Sequence, residues 1–146
     1  MSSVVLVGAY AGLGSGAILM FLSHIAPMFG AGNFIRDIDQ PTAFGRELSR
    51  REAHLIGILV HLLTSLFYGA LFAFGVDQGW ASGFHFLPIL GWCVIILLFN
   101  GFVLMPIEGH GLFGVKADSW FPIDLLLTNI MWGLFYLMLV RLWLPA

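Results

Sequence analysis

The chain has 146 residues, of which 60% are apolar and only 10% carry a charge. A soluble domain carries roughly a quarter charged residues, so the composition excludes a surface that faces water and predicts a membrane protein. The net charge of −2 and the lack of a basic stretch exclude a nucleic-acid partner, because nothing would neutralise a run of phosphates. Cys93 is the only cysteine, which excludes an internal disulfide and a zinc site built from several thiolates.

Four long apolar segments follow one another along the chain. Each is long enough to cross a hydrocarbon core of about 30 Å as a helix that rises about 1.5 Å per residue. Their apolar runs are continuous, whereas the strands of a membrane barrel alternate apolar and polar residues. The predicted spans are 4–29, 52–76, 85–105 and 121–144. The predicted fold class is an all-α membrane protein, in which residues 1–146 form a single domain of four transmembrane helices in an up-down-up-down bundle.

The ends of these segments carry local signals. Ser49 is followed three residues later by Glu52, which predicts a capping box at the start of the second helix. Pro122 lies in the opening turn of the fourth helix, where a residue without an N–H is tolerated. Pro106 follows the third segment and predicts that this helix ends before it.

The first segment carries a glycine repeat. Gly8, Gly12 and Gly16 recur every four residues and therefore share one helix face, along which another backbone can approach closely. Ser65 and Gly69 give the second segment a matching face of small residues. The repeat is either a seam with a second copy or a partner subunit, or a close contact with the second or fourth helix of the same chain, which is the interpretation we favour.

The basic residues predict the orientation. They lie in the loop 30–51 and the loop 106–120, and only Arg141 lies on the opposite side. The basic residues of the two loops are Arg36, Arg46, Arg50, Arg51 and Lys116. The positive-inside rule therefore places both loops in the cytoplasm and both termini on the non-cytoplasmic side of the plasma (inner) membrane.

Histidines and acidic residues concentrate toward this cytoplasmic side. Ionisable groups within a span are costly and by default suggest a site. Along the second helix Glu47, His54, His61 and Tyr68 recur every seven residues and share a face, which we expect to point into the bundle. The residues expected to meet this face are His24, Asn100, Asp124 and Thr128, with Glu108 and His110 just beyond the third helix.

These residue types allow two interpretations. Imidazole with carboxylate suits a transition metal, and paired histidines suit a haem iron, for which haem b is the candidate. The candidate cofactor-binding residues are His24, His54, His61 and His110, and the candidate metal ligands are His24, His61, Asp124, Glu108 and His110. The other interpretation, which we favour, is a layer of hydrogen-bonded polar groups, with His61 bonded to a backbone carbonyl or to Asn100.

The sequence contains no catalytic motif, so no catalytic residue is assigned and an enzyme is not favoured. We expect a small multi-pass membrane protein that acts as a structural or accessory subunit of a larger membrane complex. Its partners would be the lipid bilayer and either other membrane subunits or further copies of itself. The alternatives are a haem- or metal-binding membrane redox protein and, second, a small proton-coupled transporter.

Overall fold

The computed structural model describes residues 2–29, 42–43, 46–107, 109–116 and 119–144. Four helices in these ranges are long and apolar enough to cross a membrane, which confirms the predicted number and type of elements. We label the helices α1 (Ser3–Ile25), α2 (Arg50–Asp77), α3 (Phe86–Phe99) and α4 (Phe121–Trp143), where α3 is the first part of the third span, Phe86–Ile107. The described connections contain short 3₁₀ turns at Ala26–Phe29 and Leu112–Gly114 and a hairpin in which Thr42–Ala43 pairs with Arg46–Glu47. Apart from this hairpin, the regular structure of the described residues is helical.

The start of α2 follows the predicted capping box. The backbone N–H of Glu52 donates to Ser49 Oγ at 3.4 Å, and the backbone N–H of Ser49 donates to Glu52 Oε2 at 3.0 Å. The first turn of a helix leaves four N–H groups without partners inside the helix, and this reciprocal pair satisfies one of them as well as the N–H of the cap. The capping box is confirmed.

The sequence predicts that the third span ends before Pro106, but in the structure the helix continues past it. After Phe99 the chain widens into a π-helical segment, Asn100–Leu104, and continues as one further turn to Ile107. The N–H of Met105 donates to the carbonyl of Asn100, five residues back. Because proline lacks an N–H, it interrupts the regular hydrogen-bond ladder of a helix, and here the chain widens into the π-helical turn directly before Pro106.

Helices α1 and α2 run antiparallel and touch along the glycine repeat. A methyl group on Gly8 would lie 2.8 Å from the carbonyl oxygen of Gly69, and one on Gly12 would lie 2.9 Å from the Cα of Gly69. One on Gly16 would lie 2.7 Å from the Cβ of Ser65. Gly8, Gly12 and Gly16 are buried. The structure therefore places this face against α2 of the same chain, where only hydrogen atoms fit between the backbones.

The core of the bundle is aromatic. Tyr136 of α4 is fully buried and stacks on Trp132, with ring centroids 5.0 Å apart and planes 11° apart. Phe72 of α2 meets Tyr136 edge-on at 5.9 Å. Gly133 of α4 packs against Cys93 of α3. These contacts join α2, α3 and α4, and the side chains involved have no charge.

Large apolar side chains cover the outside of the helices. Only 22% of the most apolar stretch of α2 is buried, and the same fraction applies to the span Phe86–Ile107. Leu55, Leu59, Leu63 and Phe67, which we call the α2 stripe, are each more than half exposed and recur every four residues on one face. A monomer in water rarely exposes apolar patches of this extent. The surface is consistent with a multi-pass membrane protein.

Candidate functional site

Two of the predicted site histidines meet at one end of the α1–α2 pair. His24 lies in the last turn of α1 and is exposed, while His54 lies in the second turn of α2 and is half-buried. Because the helices are antiparallel, the end of α1 lies beside the beginning of α2. The ring centroids of His24 and His54 are 5.6 Å apart, and the ring planes are inclined at 69°. We call these two residues the histidine pair.

The hydrogen bond of His24 determines which of its nitrogens carries the proton. Nδ1 lies 2.8 Å from the backbone carbonyl of Met20, which only accepts hydrogen bonds. Nδ1–H must therefore be the donor, and in a neutral imidazole the other nitrogen, Nε2, then keeps its lone pair. The backbone of α1 thus orients the ring and makes Nε2 the basic atom.

His61 has a different role from the histidine pair. It lies two turns further along α2 than His54, and its Nε2–H donates to the carbonyl of Gly16 at 3.2 Å. This bond connects α2 to α1 directly beside the contact between Gly16 and Ser65. His61 therefore acts as a link between two helices, which is one of the two roles that the sequence suggests for it.

The shared face of α2 does not lead to a single pocket. His54 and His61 contact α1, whereas the hydroxyl of Tyr68 donates to Oδ1 of Asn100 at 2.7 Å. Asn100 is the first residue of the π-helical segment, so Tyr68 connects α2 to the third span. Asn100, one of the two partners suggested for His61, therefore bonds to Tyr68 instead. Positions seven residues apart fall about 20° short of two full turns, so the face drifts from one neighbouring helix toward the next.

Three other predicted site residues lie around the beginning of α4. Asp124 is in its first turn, where the helix dipole favours a carboxylate, and Thr128 Oγ1 donates to the Asp124 carbonyl at 2.7 Å. The ring of His110 stacks on Phe121, with centroids 6.2 Å apart. Glu108 lies outside the described residues.

The predicted metal set is not assembled in the part of the chain that the structure describes. No three His, Cys, Asp or Glu side chains within these ranges come close enough to hold one metal ion. His24 is next to His54, His61 bonds to Gly16, and His110 stacks on an aromatic ring of α4. Of the candidate cofactor-binding histidines, His24 and His54 are the two whose rings the structure places in contact.

Several polar side chains within the helices bond to their own backbone. Ser15 Oγ donates to the carbonyl of Ala11 at 2.7 Å, and Thr64 Oγ1 donates to the carbonyl of Val60 at 2.8 Å. The amide of Asn129 donates to the carbonyl four residues before it at 2.7 Å. Such bonds satisfy a polar group locally.

Sequence reasoning missed two buried indole groups. Among the described residues, Nε1 of Trp92 and Nε1 of Trp132 are the buried side-chain donors without a hydrogen-bond partner. Both rings belong to the aromatic core, through Phe72 and Tyr136 respectively. Their spacing in the sequence follows no motif, so no sequence signal marks them.

Chemically, the described residues therefore offer one pair of imidazoles at the end of a tightly packed helix pair, with His24 Nε2 as the basic atom. A scan against protein-family models and searches of curated proteins and of solved structures found no match to this chain.

Proposed function

We propose that this protein is a structural or accessory subunit of a larger membrane complex. In this proposal its four helices alternate up and down across the plasma (inner) membrane, with the loops 30–51 and 106–120 in the cytoplasm and both termini outside. The excess of arginine and lysine in these loops supports this orientation. The partners would be lipid and at least one other membrane subunit or a second copy of the chain.

The way in which the interior polar groups are used supports a structural role. His61 bonds to Gly16 and Tyr136 bonds to Gly69, so both side chains are occupied in connecting helices. Within a membrane such bonds help to hold helices together. Lipid tails are as apolar as leucine side chains, so the hydrophobic effect does not drive the helices to associate. A polar interior committed to helix contacts suits a protein whose task is to present its outer surface.

The observation that carries the proposal is an open apolar groove on the outside of α1. It has a volume of about 520 Å³ and lies between α1 and the end of α4. It is lined by Val7, Tyr10, Leu13, Gly14, Ala17 and Trp143. Gly14 and Ala17 are small, and small residues on a helix face let a helix from another subunit approach closely. Trp143 would form one wall of such a contact.

The experiment is to compare the mass of the protein in native membranes with that of the purified chain. After extraction in a mild detergent, an epitope-tagged full-length protein should co-migrate with a species much larger than its own 16.1 kDa plus the detergent belt. Ala17→Trp fills the groove and should release the protein as a single chain. Leu59→Trp places the same bulk on the α2 stripe and should leave the large species intact.

Two results would overturn the proposal. One is recovery of the wild-type protein only as a free single chain from native membranes. The other is a large species that persists unchanged in Ala17→Trp and disappears in Leu59→Trp, which would place the contact on α2 and not in the groove.

A further inference from the structure

We infer that the outer face of α4, near the end of the helix, binds one anionic phospholipid, with its phosphate on Arg141 and an acyl chain along the apolar side chains before it. This face carries an open groove with a volume of about 410 Å³. The groove, which we call the α4 groove, is lined by Leu134, Leu137, Met138, Arg141 and Leu142. The inference goes beyond the subunit role, because it assigns one class of lipid to one site. The α4 groove shares no lining residue with the groove on α1.

Arg141 lies at the depth of the lipid headgroups. It is about 30 Å along α4 from Phe121, the first residue of the helix, and the hydrocarbon core is itself about 30 Å thick. Trp143, the last residue of α4, is exposed, and exposed tryptophan is typical of the boundary between hydrocarbon and headgroups. The long side chain of an arginine at this level can keep its stem in the apolar layer and its charge among the phosphates.

The charge of Arg141 is available to a ligand. Its side chain is exposed, and within the described part of the chain its guanidinium makes no ion pair or hydrogen bond. A guanidinium presents a planar fork of donors that matches two phosphate oxygens at once. A headgroup with a net negative charge neutralises it, whereas a zwitterionic headgroup brings an ammonium of its own, and none of the residues that line the groove is acidic. Charge complementarity therefore favours an anionic lipid.

The remainder of the α4 groove fits an acyl chain. Leu134, Met138 and Leu142 recur every four residues, so they form a continuous strip on one face of the helix, and all three are exposed. Leu137 is buried and forms the floor beside the strip. The strip from Leu134 to Arg141 is about 10 Å long, which is about two-thirds of the hydrocarbon depth of one leaflet. A chain that hangs from a headgroup at Arg141 would therefore lie along it.

The test is lipid binding by the full-length protein, freed of lipid and purified as a single chain in a mild detergent. The probe is a phosphatidylglycerol with a photoreactive group midway along one acyl chain, and the crosslinked peptide is identified by mass spectrometry. We expect one crosslinked lipid per chain, within residues 134–142. Unlabelled phosphatidylglycerol should displace the probe at a concentration at least about fivefold lower than phosphatidylcholine with the same acyl chains. Inorganic phosphate and glycerophosphate should not displace it, which distinguishes a lipid from a free phosphate.

Four variants separate the roles of charge and groove. Arg141→Gln should abolish the preference for phosphatidylglycerol, and Arg141→Lys should retain part of it, because lysine keeps the charge and lacks the planar fork. Met138→Trp fills the strip and should reduce the crosslink whichever lipid carries the photoreactive group. The matched control is Arg51→Gln, which removes the same charge at the start of α2 and should leave the crosslink within 134–142 unchanged.

Three results would overturn the inference. They are equal displacement by the two lipids in the wild type, a crosslink outside residues 134–142, and an Arg141→Gln protein that keeps the full preference. The first two need no variant, so they decide the question even if a variant fails to fold. All are measured on the single chain and are therefore independent of whether a larger complex forms.

Discussion

The hydroxyl of Tyr136 donates a hydrogen bond to the carbonyl of Gly69 at 2.8 Å, and this bond ties α4 to the contact between α1 and α2. Gly69 is the residue of α2 that lies against both Gly8 and Gly12 of α1. A single position on α2 therefore contacts two helices, one through its backbone surface and the other through its carbonyl oxygen. Tyr136 has no exposed surface, so this bond forms in the middle of the bundle.

We expect Tyr136→Phe to lower the free energy of unfolding by about 1 kcal/mol, because it removes one hydrogen bond and keeps the ring. The carbonyl of Gly69 can still accept from its own helix, which limits the loss. Unfolding in detergent by a denaturant titration measures the change. Tyr10→Phe is the matched control, since Tyr10 is 59% exposed and should not change stability. Equal losses in the two variants would contradict the assignment.

We expect Gly12→Ala to lower the free energy of unfolding by about 1–3 kcal/mol. The added methyl would lie 2.9 Å from the Cα of Gly69, and such overpacking forces the helices apart. Gly91→Ala on α3 is the control, because a Cβ there meets nothing within 4 Å. The control variant should be neutral or more stable, since alanine favours a helix over glycine by about 0.5–1 kcal/mol. The same titration tests both, and a Gly12→Ala protein as stable as Gly91→Ala would refute the close contact.

The bond between Tyr68 and Asn100 should appear as a coupling energy. Tyr68→Phe, Asn100→Leu and the double variant form a cycle, from which we expect a coupling of about 0.5–1.5 kcal/mol, because each single change removes the same 2.7 Å bond. A second cycle that combines Tyr10→Phe with Asn100→Leu should give none. Coupling of equal size in both cycles would show that the effect does not come from the bond.

The proposed orientation predicts which side of the membrane reaches each loop. Cys93 is 3% exposed, so the wild-type protein should not react with a membrane-impermeant thiol reagent and provides the background. In intact cells Ser3→Cys should be labelled, whereas Ser119→Cys should be labelled only after the membrane is opened. Both residues are exposed in the structure. Labelling of Ser119→Cys in intact cells would invert the proposed topology.

Much of the architecture could be predicted because it depends on neighbours in the sequence. A continuous apolar run determines that a segment forms a helix when no water is available to its backbone. A cap such as Ser49 with Glu52 acts over three residues, and the structure contains it. The end of the third span was predicted less well, because the effect of Pro106 depends on whether the preceding turn can widen.

Tertiary structure decided between the partner faces that the sequence left open. The spacing of Gly8, Gly12 and Gly16 indicates a surface for close approach, and the fold places α2 of the same chain against it. In the same way, one histidine-rich side of α2 has His54 beside His24 and His61 beside the backbone of α1. Helix formation is local, whereas the contact partner of a helix face depends on residues far along the chain and on the angle at which two helices cross.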